Sequence, residues 1–167
     1  MGAITAALLA AQVAAGTATP PPCRTGAAAM SPEMKGWSAL QGVTAGSSMA
    51  MPATLAIGRS ARATLVPAGG VTYPVAPGHA GEPGTSGGLF AFDVVTAGSY
   101  RVALGSAAWV DVVAGDKAVP SVAHVHASDC SGVRKYVEFQ AKPGRYMLQV
   151  SGNKAATLVV MVSRVEA

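Results

Sequence analysis

Charge is scarce in this sequence. Charged side chains make up 12% of the 167 residues and aromatic ones 5%, whereas an average soluble domain is about 25% charged. The 12 lysines and arginines are scattered between Arg24 and Arg164, and only Arg134 and Lys135 are neighbours. A nucleic-acid surface needs a basic stripe or a basic helix, so the pattern argues against nucleic acid as a partner. Beyond the first residues, no run approaches the roughly 20 continuous apolar residues of a transmembrane helix. There is no Gly-x-Ser-x-Gly elbow. The glycines of 78–88 lead into neither a lysine nor a helix, which removes phosphate-loop chemistry.

Apolar residues reach 50%, and most are alanine and valine. Residues 3–15 are nearly unbroken Ala, Leu, Ile and Val, about the length of a secretory h-region and too short to span a membrane. Gly16, Thr17 and Ala18 satisfy the small-x-small cleavage rule, although no Lys or Arg precedes the run. The expectation is a signal peptide over 1–18 and a periplasmic or secreted protein; a buried N-terminal helix is the alternative. Two cysteines, Cys23 and Cys130, suit one disulfide in an exported chain. The bond would close a loop of about 108 residues, worth about 4–5 kcal/mol in the chain-entropy picture. Two free thiols are the other possibility.

Residues 19–46 are rich in Pro, Ala and Gly and read as an irregular arm. Within Pro32-Glu33-Met34-Lys35-Gly36-Trp37 at most one short helical turn fits before Gly36 stops it, and Trp37 reads as the plug that seats the arm. From 47 to 167 the apolar period is two, with turn signals every 8–12 residues. Strands are expected over 53–57 and 61–66 as a pair or one bent strand, and over 71–75, 89–95, 100–105, 107–113, 117–127, 133–140, 146–150 and 156–162. Residues 76–88 form a long loop of the kind that carries function. The fold class is all-β, a single antiparallel β-sandwich of jelly-roll or Ig-like type.

Two near-copies of one phrase frame this body: Thr96-Ala97-Gly98-Ser99-Tyr100 and Lys142-Pro143-Gly144-Arg145-Tyr146. Each is a turn, a spacer and a tyrosine opening an alternating strand. The position suits a ring packed inward with its hydroxyl on a loop carbonyl.

Chemistry-bearing residues lie between the copies or in the loop. On a strand, His124 and His126 share a face, which suits chelation of copper, zinc or iron. Asp129, His79 and Glu82 are further candidate ligands. Water on an edge strand is the plainer partner for such a pair. Trp109 with Asp111 on one strand face can act as a stacking platform with a polar hook, or as core packing. Met49 and Met51, if on a strand, place two thioethers on one face, a copper preference; gap-filling is the ordinary use of methionine.

The two Gly-x-Tyr phrases resemble those of secreted bacterial β-sandwich modules, the pre-peptidase C-terminal and carbohydrate-binding-like domains. Longer matches lie at Gly87-Gly88-Leu89-Phe90-Ala91-Phe92, Ala107-Ala108-Trp109-Val110-Asp111-Val112, Ser121-Val122-Ala123-His124 and Cys130-Ser131-Gly132-Val133-Arg134-Lys135. On these the chain resembles a group of small exported alphaproteobacterial proteins, some labelled homogentisate 1,2-dioxygenase. That label implies a metal-dependent dioxygenase with two histidines and a carboxylate on iron. His124 and His126 match two of the ligands; Asp129 and Cys130 stand where the glutamate is expected. The combined expectation is an exported binding or envelope-associated accessory protein, its partner a small molecule, a glycan or an envelope protein. The alternatives are a metal-binding protein or small oxygenase at His124 and His126, and a carbohydrate-binding module at Trp109.

Overall fold

The computed structural model describes residues 31–127 and 131–166. The expected signal peptide over 1–18, both cysteines and Asp129 lie outside the described residues. Alternating apolar side chains build two facing sheets. The first contains β1 (Gln41–Thr44), β3 (Ser60–Thr64), β12 (Thr157–Arg164), β6 (Gly98–Leu104), β10 (Lys135–Ala141) and β9 (Ser121–His126), side by side in that order. The second runs β2 (Ala53–Thr54), β5 (Ser86–Val94), β11 (Gly144–Asn153), β7 (Trp109–Ala114), β8 (Lys117–Val119), with β4 (Val66–Pro67) also paired to β5. No helix among the described residues is long and apolar enough to cross a membrane.

The sandwich expected from the sequence is the fold observed, with corrections. Both sheets are mixed, because β1 pairs with β3 and β2 with β5 in parallel. The expected pair over 53–66 does not exist: β2 and β3 belong to different sheets, and Gly58, with φ 81°, turns the chain between them. The stretch 71–75 is not a strand: the Val75 N–H and carbonyl pair with the Gln149 side chain of β11, the Thr72 N–H donates to the Ser47 carbonyl, and the Tyr73 hydroxyl donates to the Val150 carbonyl. The arm is irregular only as far as Leu40, after which β1 joins the first sheet.

The core fills the space between the sheets. Phe90, Phe92, Val112, Leu148 and Val150 meet Tyr100, Val102, Leu104, Val137, Phe139, Val160 and Val162, all buried. At both Gly-x-Tyr phrases the chain changes sheet. β5 lies in the second sheet and β6 in the first; β10 lies in the first and β11 in the second. The strands on either side of each turn therefore do not pair with each other. β5 pairs with β11 and β6 with β10, so the two crossings interlock.

The corners are built alike. Gly98 and Gly144 sit at φ 155° and 153°, values that side chains rarely adopt. The Tyr100 hydroxyl donates to the Thr96 carbonyl at 2.7 Å, and that of Tyr146 to the Lys142 carbonyl at 2.9 Å. Each ring lies across the sheet from a phenylalanine, Tyr100 from Phe139 and Tyr146 from Phe92. Another change of sheet falls at Pro120, between β8 and β9. Having no N–H to lose from a ladder, proline suits that position.

The outer face of the first sheet is covered by the arm. A 3-10 turn at Pro32–Met34 and the following bend bury Met34 and Trp37 against Ala103, Val133 and Met161. Val133 thus faces the arm rather than the inner row of Val137 and Phe139 that the alternation suggested. Trp37 is the seat of the arm that the sequence indicated.

Candidate functional site

The chemistry-bearing residues gather at one open edge of the sandwich, where β7 and β8 of one sheet face β9 and β10 of the other. Trp109 opens β7 and stays 36% exposed, whereas Trp37 is 7% exposed. Two recesses flank the Trp109 indole. One, about 210 Å³, is lined by Trp109, His124, Val125, His126, Lys135 and Tyr136. The other, about 330 Å³, takes in Asp111, Val119, Ser121, His124 and Phe139 beside Trp109.

The indole is held from the second sheet. Its Nε1–H donates to Asp111 Oδ1 at 3.0 Å, and the Gly78 N–H donates to Asp111 Oδ2 at 3.1 Å. Asp111 is therefore the joint between platform and loop rather than a free hook. A Cβ on Gly78 would lie 2.9 Å from the indole, so the backbone needs a glycine to come this close. His79 follows, its ring centroid 6.2 Å from that of Trp109.

The loop over 71–85 is strapped across the outer face of the second sheet by residues that sequence reasoning passed over. Gln149, 1% exposed, accepts from the Val75 N–H and donates to the Val75 carbonyl, both at 3.1 Å. Ser151 donates to the His79 carbonyl at 2.6 Å, and Tyr73 to the Val150 carbonyl at 2.8 Å. Gln149 and Ser151 lie across the ladder from Asp111 and Trp109, so one row of polar side chains holds both loop and platform. The sequence signal was their alternation with Leu148 and Val150, which marks an outward face without revealing its cover.

From the first sheet come the basic groups. Lys135 continues the inward row of Val137 and Phe139 to the mouth of the sandwich, and its Nζ lies 5.8 Å from the Trp109 ring centroid. Burial lowers the pKa of this ammonium. Across the ladder, His126 faces Lys135 and His124 faces Val137, so both imidazoles point toward the same mouth. His124 Nε2 is 2.7 Å from the Ser121 hydroxyl.

The structure thus brings His124, His126 and Trp109 around one recess, places His79 against Trp109 from the loop, and sets Glu82 apart, its carbonyl accepting from Thr85. Asp129, the fourth candidate ligand, lies outside the described residues. Among the described residues no three His, Cys, Asp or Glu side chains converge as a metal site. Met49 and Met51 lie in a turn, not on a strand, and Met49 lines a separate groove of about 340 Å³ with Val113 and Met147.

No family model matches this sequence. No curated protein matches it either. Among solved structures, the chain is similar to the pre-peptidase C-terminal domain of a collagenase from Bacillus anthracis. The TM-score is 0.41 and the identity 16%, over 66% of this chain and 92% of that one.

Proposed function

We propose that this chain is an exported, envelope-associated binding module that seats a sugar ring on Trp109. The observation that carries the reading is the exposure of this one tryptophan at a sheet edge, oriented by Asp111 and flanked by two recesses lined with polar side chains. An aromatic ring fixed in this way offers an apolar face for the C–H face of a pyranose, while Ser121, His124 and His126 supply hydrogen-bonding groups around it. Rigid anchoring removes part of the ordering cost of binding.

Trp37 is buried between the arm and the first sheet, so ligand-induced changes in tryptophan emission report on Trp109. Titration with a panel of cell-wall and plant oligosaccharides is expected to shift or quench that emission saturably, and Trp109→Ala to abolish the response. No saturable change across the panel would rule the reading out.

A further inference from the structure

We propose that the sugar seated on Trp109 is an acidic one, a uronate-type residue whose carboxylate is received by Lys135 beside His126 and His124. The inference deepens the reading of Trp109 as a sugar platform and rests on it.

Arg101 is neutralised by Glu33 at 2.9 Å and by Glu138 at 2.6 Å, and Arg145 lies 3.5 Å from Asp93. Lys135 has no carboxylate within ion-pair distance among the described residues, although it is half-buried. An ammonium held in this way lacks part of its hydration and gains by meeting an anion. Burial already lowers its pKa, and a bound carboxylate would offset that shift.

Its surroundings select the same sign. The recess that contains Lys135 is lined by Trp109, His124, Val125, His126 and Tyr136, with no acidic side chain among them. The nearest carboxylate on the platform, Asp111, is turned to the other recess, and both its oxygens are occupied by N–H donors. The strand register fixes His126 beside Lys135 and His124 one inward position further along the same mouth. Two imidazoles and an ammonium supply donors on one side of the ring, and the indole supplies the apolar face. A neutral sugar would use the indole and leave the ammonium without a carboxylate. A uronate uses both, because its carboxylate projects from the ring edge while the C–H face stacks.

The test uses the full chain and compares three probes by tryptophan emission: oligogalacturonate, its methyl-esterified form, and a neutral oligosaccharide of equal length. Oligogalacturonate should bind about tenfold or more tightly than the ester, the worth of one charge-assisted hydrogen bond. Lys135→Gln should erase that preference, Lys135→Arg should keep it, and Arg62→Gln, an exposed control of equal charge change, should leave it unaltered. A sulfated oligosaccharide separates carboxylate recognition from general anion binding. If it binds as tightly as oligogalacturonate, the uronate assignment is overturned.

Equal binding of acid, ester and neutral probes, or an acid preference that survives Lys135→Gln in a protein with unchanged thermal unfolding, would overturn the acidic assignment and leave Trp109 as a sugar platform. Absence of any response to every probe would overturn both.

Discussion

At the scale of single residues, Tyr100 and Tyr146 carry more of the architecture than their small number suggests. Each hydroxyl closes a turn on the carbonyl four residues back, and the Tyr146 oxygen also accepts from the Lys142 N–H at 3.0 Å. Tyr→Phe at either corner keeps the buried ring and removes only the hydroxyl. The expected loss is about 1 kcal/mol, the net worth of a protein hydrogen bond, and somewhat more for Tyr146, where a backbone N–H loses its acceptor. Thermal unfolding of the two single variants measures it; no loss at either site would show the hydroxyls to be incidental. These tyrosines were legible in the sequence because a glycine-led turn followed by an aromatic is a local pattern. Gln149 was not, since its partner Val75 is distant in the chain and nothing local marks the pairing.

At the scale of elements, the arm and its docking face depend on one ionic knot. Arg101 bridges Glu33 of the arm and Glu138 of β10, and its guanidinium lies 4.9 Å from the centroid of the Tyr136 ring. Burial alone would raise the pKa of Glu33. Hydrogen bonds from Ser31 and its own backbone, with the charge and donors of Arg101, outweigh that and hold the carboxyl below its ordinary value of 4.5. A carboxyl depressed in the folded state contributes stability that is present above its unfolded pKa and is lost as pH falls through its folded pKa. The docked arm should therefore loosen as pH drops below about 4.5, and Trp37 emission should shift toward that of exposed indole. Glu33→Gln should flatten this acid response. An unchanged response in that variant would place its origin elsewhere. The helical turn and Trp37 were readable from Pro32, Gly36 and the bulk of the indole. That β1 follows and joins the sheet in parallel was not, because parallel partners lie far apart in sequence.

For the whole molecule, the interlocked crossings of β5 to β6 and β10 to β11 tie the two sheets into one body. Nothing covalent is needed for that, so a disulfide between Cys23 and Cys130 would serve to hold the N-terminal segment in an exported protein. Thiol titration of the denatured, non-reduced protein should then find no free thiol; two would remove both the bond and this argument for export.

The local sequence determined the strand character, the corners, the turn positions and the absence of α-helices among the described residues of the body. Each of these follows from a period of two, from glycines at positive φ, or from proline's missing N–H, all properties of neighbouring residues. Only the tertiary structure decided which strands share a sheet, that the 71–85 loop lies over β11 and β7, and that Lys135 faces Trp109. Those depend on register and on the meeting of sheet edges, and a change of one residue in register would send Lys135 to the opposite face. The sequence pointed to a histidine pair and a tryptophan as separate candidates. The fold places them around one recess and adds the ammonium that neither motif had announced.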